Sequence, residues 1–422
     1  MRYALHMRPP PSPGSAATRP IGRHEFDAFC SMLTRAFGSA YYQEDVDVQR
    51  AVFEPERSLA VVDDGRFVAG TASYSLRMAL PGGPAPVAGV TLVGVLPDRR
   101  RRGLLSSLMS RQLHELHETG GEPVAALWAS EPGIYRRYGY APAAWHLDLN
   151  VPRQASSARD GPGGAVRLAD DLVHARADVA RVYDALWPDR VGHFARTPSW
   201  WDMALHDPEH ERQGLSSLSC VLHYGTDAAV DGYALYSTAE RWDPSGAAGG
   251  IVRVREVVAG DPAATAALWS YLLDMDLMAA AEISSLAVDD PLLHLLGDVR
   301  QAQPRVKDGL WVRLVDVGRA LSARRYTAPL DVVFDVTDEL CGWNAGRWRL
   351  QADGDGAATC EETSAAADLA VDVTHLAAAY LGGTSLAGLA AAGGIAEHRT
   401  GRLRAASTAF GWHRAPHCPQ LF

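Results

Sequence analysis

Cysteine is scarce in this 422-residue chain, and its five copies, Cys30, Cys220, Cys341, Cys360 and Cys418, stand far apart. No two have the spacing of metal ligands, and the count is odd. That argues against a metal site or a disulfide framework and fits a reducing compartment. No run approaches the roughly 18 apolar residues of a membrane helix. The opening MRYALHMRPPPSPGSAATRP lacks the apolar core of a signal peptide. It reads as a flexible leader over residues 1–20, so a cytoplasmic protein is expected. An excess of basic charge is missing as well: 50 acidic residues against 40 basic ones give a net charge of -10. That sign disfavours a general nucleic-acid binder and suits cationic partners.

What is present is ordinary globular material, 47% hydrophobic and 21% charged. The chain is too long for one core, so two or three domains are expected. IGRHEFDAFCSMLTRAFG places Phe26, Phe29, Cys30, Leu33 and Phe37 at helical spacing. EDVDVQRAVF reads as a second short helix. SLAVVDDGRFVAGTASYSLRMAL reads as a hairpin turning at Asp63, Asp64 and Gly65, and PVAGVTLVGVLP as a strand closed by Pro97. After the basic turn DRRRRG, the helix GLLSSLMSRQLHELHE carries Leu104, Leu105, Leu108, Met109, Leu113 and Leu116 as one apolar stripe. PVAALWAS is a buried strand, EPGIYRRYGYAPA a short helix entering a turn, and WHLDLNV a further strand. PRQASSARDGPGGA has the composition of a linker.

A second α/β region follows, from about residue 165 to 304. Its strand IVRVREVVAG and helix GDPAATAALWSYLLDMD repeat the strand–turn–helix order of VTLVGVLP–DRRRRG–GLLSSL. A degenerate tandem copy is expected, in which Asp261, Pro262 and Ala264 replace the arginines and the helix-opening glycine. The last region, residues 305–422, begins near DGLWVRLVDV. It continues through YTAPLDVVFDV, WRLQADGDG and DLAVDVTHLAAAYLGG and closes on HRAPHCPQLF.

The strongest chemical signal is VTLVGVLPDRRRRGLL. Amides at a helix start, together with the helix dipole, bind phosphate. Gly103 permits close backbone approach, and arginines add charge-assisted bonds. These are the requirements of a pyrophosphate cradle. The stretch resembles the acetyl-CoA signature of GNAT acetyltransferases, Arg/Gln-x-x-Gly-x-Gly/Ala, at Arg100, Gly103 and Leu105, with Leu105 in place of the final small residue. A second motif, ALWASEPGIYRRYGYAPA, is similar to the A-S-E-x-G-I-Y-x-R-x-G-Y of the Eis family, at Ala129, Ser130, Glu131, Gly133, Ile134, Tyr135, Arg137, Gly139 and Tyr140. DGYALYS, KDGLWVRLVDV at Lys307–Val317 and the apolar chain end extend the likeness over nearly the whole chain.

The resemblance implies an α/β protein with two tandem GNAT-type domains, at residues 21–152 and 165–304, and an α+β sterol-carrier-like domain at 305–422. It implies a homohexamer that acetylates primary amines of polycationic small molecules such as aminoglycosides, with acetyl-CoA as co-substrate and no metal, nucleic acid or membrane. Cofactor-binding residues would be Leu92, Val93, Val95, Arg100, Arg101, Gly103, Leu104 and Ser130. The strand before the turn would offer backbone groups to the pantetheine arm, and the Val93 amide would polarise the thioester. Tyr135 would be the general acid, with Tyr138 and Tyr140 as neighbouring competitors. The terminal carboxylate of Phe422 would be the general base. Family substrate pockets use acidic and aromatic side chains near the first two helices. Here that stretch reads FGSAYYQEDVDVQ, with Glu44, Asp45 and Asp47. The alternative is a CoA- or lipid-binding carrier that transfers nothing.

Overall fold

The structure is a computed structural model that describes residues 17–155 and 164–422. The leader up to residue 16 and most of PRQASSARDGPGGA lie outside the described residues. The chain divides into two compact units, residues 1–74 with 90–115 and residues 75–89 with 116–422. Among the described residues no helix is long and apolar enough to cross a membrane.

The first unit contains β1 (Ala17–Arg19), α1 (Phe26–Phe37), α2 (Gln43–Arg50) and β2 (Ser58–Asp63). It also holds the first part of β3 (Arg66–Leu80), the last part of β4 (Gly83–Val95) and the body of α3 (Leu104–Thr119). β1 pairs antiparallel with β2, so three residues of the stretch read as leader belong to the sheet. The helical spacing of α1 is realised: Phe26, Phe29, Cys30 and Leu33 are buried together with Ile21, Val46 and Phe53. Phe37, on the same stripe, ends the helix and is 58% exposed. α3 lays Leu104 and Leu108 onto Leu59, Val61, Val68 and Ala69 of the hairpin.

The second unit takes the tip of the β3–β4 hairpin, then β5 (Val124–Trp128), α4 (Pro132–Tyr135), β6 (Ala141–Pro142), β7 (Trp145–Pro152), β8 (Ala165–Leu168), α5 (Leu172–Leu186), α6 (Pro198–Ala204), β9 (Ser219–Tyr224), β10 (Val230–Ala239), β11 (Gly250–Ala259), α7 (Pro262–Leu273), β12 (Met278–Ala287), α8 (Leu292–Leu295), β13 (Arg305–Asp308) and β14 (Leu310–Leu314). Sheet membership does not follow chain order. β7 pairs with β12 and β13 in the sheet β13-β7-β12-β11-β10-β9-β8. β14, which follows that sheet in the chain, pairs instead with β5 and β6. α5 and α7 cover the seven-stranded sheet with Val179, Val182, Leu268, Trp269 and Leu272.

The remainder of this unit is α9 (Val317–Ala323), β15 (Leu330–Thr337), β16 (Gly346–Ala352), β17 (Ala358–Glu362), β18 (Leu369–Asp372), α10 (Val373–Ala379), α11 (Leu386–Ala391), β19 (Ile395–Glu397) and α12 (Arg402–Phe410), built on the sheet β17-β16-β15-β18-β19. All five cysteines are buried and free.

β14 is tied to this region by an ion pair. Arg313 is wholly buried and meets Asp338 at 2.6 Å. Asp338 also accepts from the Cys341 amide and the Asn344 side chain. Removing one partner of such a pair strands a buried charge, which costs about 3–5 kcal/mol. Asp338→Ala is therefore expected to destabilise the protein by that order. A denaturation midpoint within experimental error of the wild type would refute this account of β14.

Candidate functional site

The predicted cradle lies in the first unit as one strand–turn–helix. Leu92 interrupts β4 with φ of 53°, uncommon for a branched side chain in a strand, and its side chain packs on the α1 core. Val93 and Val95 follow, both half-buried. Beyond Pro97 the four arginines take different tasks. Arg99 pairs with Asp63 at 3.0 Å. Arg100 donates to the carbonyls of Ala36 at 2.7 Å and Val95 at 3.3 Å, so it braces the turn against α1 and β4. Arg102 donates to the Asp98 carbonyl. Arg101, exposed and with φ of 61°, has no hydrogen-bond or ion-pair partner among the described residues. It is the arginine of the turn best placed to meet an anion.

Gly103 has φ of 81°, where a side chain is strained, and a Cβ built there meets nothing within 4 Å. The first backbone bond of α3 runs from Ser107 to the Gly103 carbonyl at 3.0 Å. The amides of Leu104 and Leu105 therefore precede the helical ladder and point out of its start. Leu104 anchors this helix end in the core through its side chain. An anion suits the helix N-terminus, the open glycine and Arg101 together.

The second motif is built in the second unit. Tyr135 ends α4 and is 6% exposed. Burial raises its pKa, and a hydrogen bond with the Ser130 side chain works the other way. The hydroxyl therefore stays protonated at neutral pH. Its ring meets Tyr140 edge-on at 6.2 Å. Tyr140 is completely buried, its hydroxyl has no hydrogen-bond partner among the described residues, and burial pushes its pKa up further. Tyr138 is also buried, at 3%. Between them Gly139 turns the chain with φ of 82°, directly over Arg313: a Cβ there would lie 2.6 Å from the guanidinium carbon. The Arg313–Asp338 pair thus supports the turn that carries Tyr135.

The chain end is held inside the same unit. β4 pairs in parallel with β5 only at Ala88↔Ala125 and Gly89↔Ala126. The Phe422 ring approaches Gly89, lying 3.2 Å from where a Cβ would stand, and packs edge-on against Phe194 at 5.3 Å. Gln420, 6% exposed, accepts from the Trp128 indole through its backbone carbonyl at 2.9 Å and from Arg196 through its side-chain oxygen at 3.1 Å. Arg196 in turn grips Glu256 with two bonds of 3.0 and 2.7 Å. It lies over the rings of Tyr183 and Trp201, and Tyr233 donates to Glu256 at 2.9 Å. Further back, His417 meets the Ser285 carbonyl through Nε2 at 2.6 Å and His193 through Nδ1 at 3.2 Å. A carbonyl only accepts, so Nε2 of His417 carries the proton and Nδ1 accepts from His193. Burial brings the pKa of His417 down to about 4 and that of His193 down as well, so both rings are neutral near pH 7.

The sequence motifs missed Arg196, Glu256, Gln420 and Phe194. The one local signal was Glu256 inside the apolar run VREVV. Of the acidic residues singled out early, Glu44 and Asp45 stand in the first turn of α2, where the helix dipole favours them. Asp47 is engaged on the same helix by Gln43 and Arg50.

Comparison with known proteins agrees with this architecture. The acetyltransferase (GNAT) domain family matches residues 17–143, a second acetyltransferase (GNAT) domain family matches 192–314, and the sterol carrier protein domain family matches 317–419. An uncharacterised N-acetyltransferase of Streptomyces coelicolor is 43% identical over 416 residues, covering 96% of this chain and 99% of that protein. N-acetyltransferase Eis of Mycobacterium bovis is 37% identical over 373 residues, 84% of this chain and 87% of its own length. The crystal structure of Eis1 from Mycobacterium abscessus superposes with a TM-score of 0.81 at 31% identity, covering 96% of this chain and all of that one. A GCN5-related N-acetyltransferase from Anabaena variabilis, at 20% identity and a TM-score of 0.82, shares the fold. Two GNAT domains, a sterol-carrier-type domain and close relatives along nearly the whole length place this chain in the Eis family of GNAT N-acetyltransferases.

Proposed function

We propose that this chain transfers the acetyl group of acetyl-CoA to primary amines of a polycationic small molecule, with aminoglycosides as the substrate class. It would do so as a cytoplasmic homohexamer. The observation that carries the reading is the docked chain end: a terminal aromatic residue seated on Gly89, where the β4–β5 pairing stops, packed on Phe194 and held two residues upstream by the bonds of Gln420 to Trp128 and Arg196. Chain ends usually fray in solvent. One that is fixed by Trp128, Arg196 and Phe194 brings its carboxylate to a defined place.

In this reading the start of α3, Gly103 and Arg101 hold the pyrophosphate of acetyl-CoA. Backbone groups of Leu92, Val93 and Val95 hold the pantetheine arm, with the Val93 amide on the thioester carbonyl. An alkylammonium has no lone pair, so it loses a proton before its nitrogen attacks. The Phe422 carboxylate accepts that proton, directly or through a water. As the new C–N bond forms and the C–S bond breaks, Tyr135 delivers its hydroxyl proton to the leaving sulfur; the acylated nitrogen then gives up its second proton to solvent, from which Tyr135 is reprotonated. Burial keeps that hydroxyl protonated at neutral pH, and Ser130 orients it. The net charge of -10 favours approach of a cationic substrate.

Three variants test the parts separately. Gly103→Glu adds a carboxylate at the helix start and about 1 kcal/mol of backbone strain. It is expected to abolish acetyl-CoA binding by calorimetry while the thermal midpoint moves little; unchanged affinity would remove the cradle from this site. Tyr135→Phe is expected to lower kcat by roughly 10²-fold or more with CoA affinity nearly unchanged. A near-normal kcat would pass the acid role to another group. Two or three residues added after Phe422 keep the ring and displace the charge. Thiol release from acetyl-CoA with a panel of amines should then fall by about 10²-fold, as for loss of a general base. Wild-type turnover in that extended chain would exclude the carboxylate. An unmodified chain that binds CoA tightly yet turns over no amine would be a carrier.

A further inference from the structure

We propose that the second α/β sheet has a binding site of its own: the cleft where β11 and β12 separate, which takes a short, extended chain of secondary amides without phosphate. The two strands run parallel and paired from Gly250↔Met278 to Val254↔Ile283, and there the pairing stops. β12 turns aside at Ser284 and Ser285. Its register against β7 shifts between Ile283 and Leu286, and Ser285 has φ of 57°. Beyond the bulge at Arg255, β11 from Glu256 to Ala259 keeps β10 as its one strand partner among the described residues, so its other backbone edge faces the gap. A cavity of about 310 Å³ fills that gap and is lined by every residue from Val254 to Gly260. This is at the small end of the range for ligand pockets.

The lining defines the ligand. Four residues of free strand edge, about 13 Å long at 3.3 Å per residue, offer backbone donors and acceptors of the kind that recognise an extended amide chain. Trp187, Trp269 and Ile283 supply apolar walls. Ser285 also lines the cavity, and its hydroxyl is buried without a hydrogen-bond partner among the described residues. The helix start that could hold a phosphate is closed by the protein's own chemistry, which leaves Arg190, Arg255 and Arg414 as the cationic side chains of the lining. At the start of α7, immediately beyond this edge, the Asp261 carboxylate already accepts from the Ala263 and Ala264 amides at 2.7 and 2.9 Å, and Pro262 has no amide hydrogen to give. The anion position is occupied by a side chain. Two chemical sources present such amides, a pantetheine-type diamide and a tripeptide.

The cavity also touches the chain end. His417 and Pro419 line it, His417 bonds to Ser285, and Gln420 and Phe422 follow three to five residues beyond His417. Occupancy of the cleft therefore bears on the segment that positions the terminal carboxylate.

Calorimetry on the full-length protein saturated with CoA tests the proposal, with pantetheine and N-acetyl-Ala-Val-Ala-amide as separate probes. One of them is expected to bind one-to-one, and which one binds identifies the source. Ser284 is exposed at the cavity rim and outside the acetyl-transfer machinery. Ser284→Trp should weaken binding at least ten-fold with thermal midpoint and basal turnover within about two-fold of wild type. Asp189→Trp, at another exposed rim residue, serves if the first variant fails to fold. Absence of binding by both probes at millimolar concentration, displacement by CoA, or affinity unaffected by the rim tryptophans would each overturn the proposal. If CoA itself fails to bind, the acetyl-transfer reading falls. The comparison of wild type with Ser284→Trp in CoA-free protein still decides this one.

Discussion

The pairing of Arg196 with Glu256 is the interaction on which the docking of the chain end depends. The two side chains are only 4% and 8% exposed. Taking either charge out of water alone is costly, and their attraction offsets this only when the geometry is good and the remaining polar atoms are satisfied. Here the carboxylate receives two guanidinium bonds and the Tyr233 hydroxyl. The remaining guanidinium edge goes to Gln420 and the faces to Tyr183 and Trp201. The pair is thus completed by the chain end. Without Gln420 one donor of Arg196 loses its acceptor in a dry environment. The favourable position of the tail and the satisfaction of the buried charge are one condition.

A second constraint is repeated. A parallel strand pair that stops halfway leaves a free backbone edge inside the fold, and the protein makes such a pair twice, at β4–β5 and at β11–β12. What differs is the helix start that follows each first strand. One begins with an open glycine and an arginine without a partner among the described residues, the other with a proline and an aspartate whose carboxylate caps the helix. The first arrangement invites an anion and the second supplies one. The same scaffold therefore presents two helix starts of opposite electrostatic preference.

Local features were legible in the sequence because their physics is local. The α1 spacing, the α3 stripe, the hairpin turn at 63–65 and the glycine after the arginines each depend on neighbours within a few residues. The resemblance to the Eis family added the domain order. The exchange of β7 and β14 between sheets was not legible, since WHLDLNV and LWVRL look like ordinary strands wherever they pair. Nor was the division of labour among the four arginines: that Arg100 braces the turn follows from the position of the Ala36 carbonyl, 64 residues away. Arg196, Glu256 and Gln420 come from segments separated by 60 and by 224 positions. No single window contains more than one of them.

The alternation at the chain end joins these points to the chemistry. Gln420 is buried, Leu421 is 69% exposed and Phe422 turns back inward onto Gly89 and Phe194. This is the alternating pattern of an extended segment with one face on the core. Two inward anchors on either side of an outward residue fix the direction of the backbone at Phe422, as the proposed role of its carboxylate requires. A free α-carboxylate has a pKa near 3.5 and is a weak base in water. A base of that strength acts on an ammonium only where the proton is shared as the new bond forms, or where lowered water access raises its affinity for the proton. Both conditions require a carboxylate held in place. Side chains at 420 and 422 that pack inward meet the requirement of the proposed mechanism, and glycine at 89, where a Cβ would stand 2.5 Å from Leu76 and 3.2 Å from the Phe422 ring, is their counterpart on the strand.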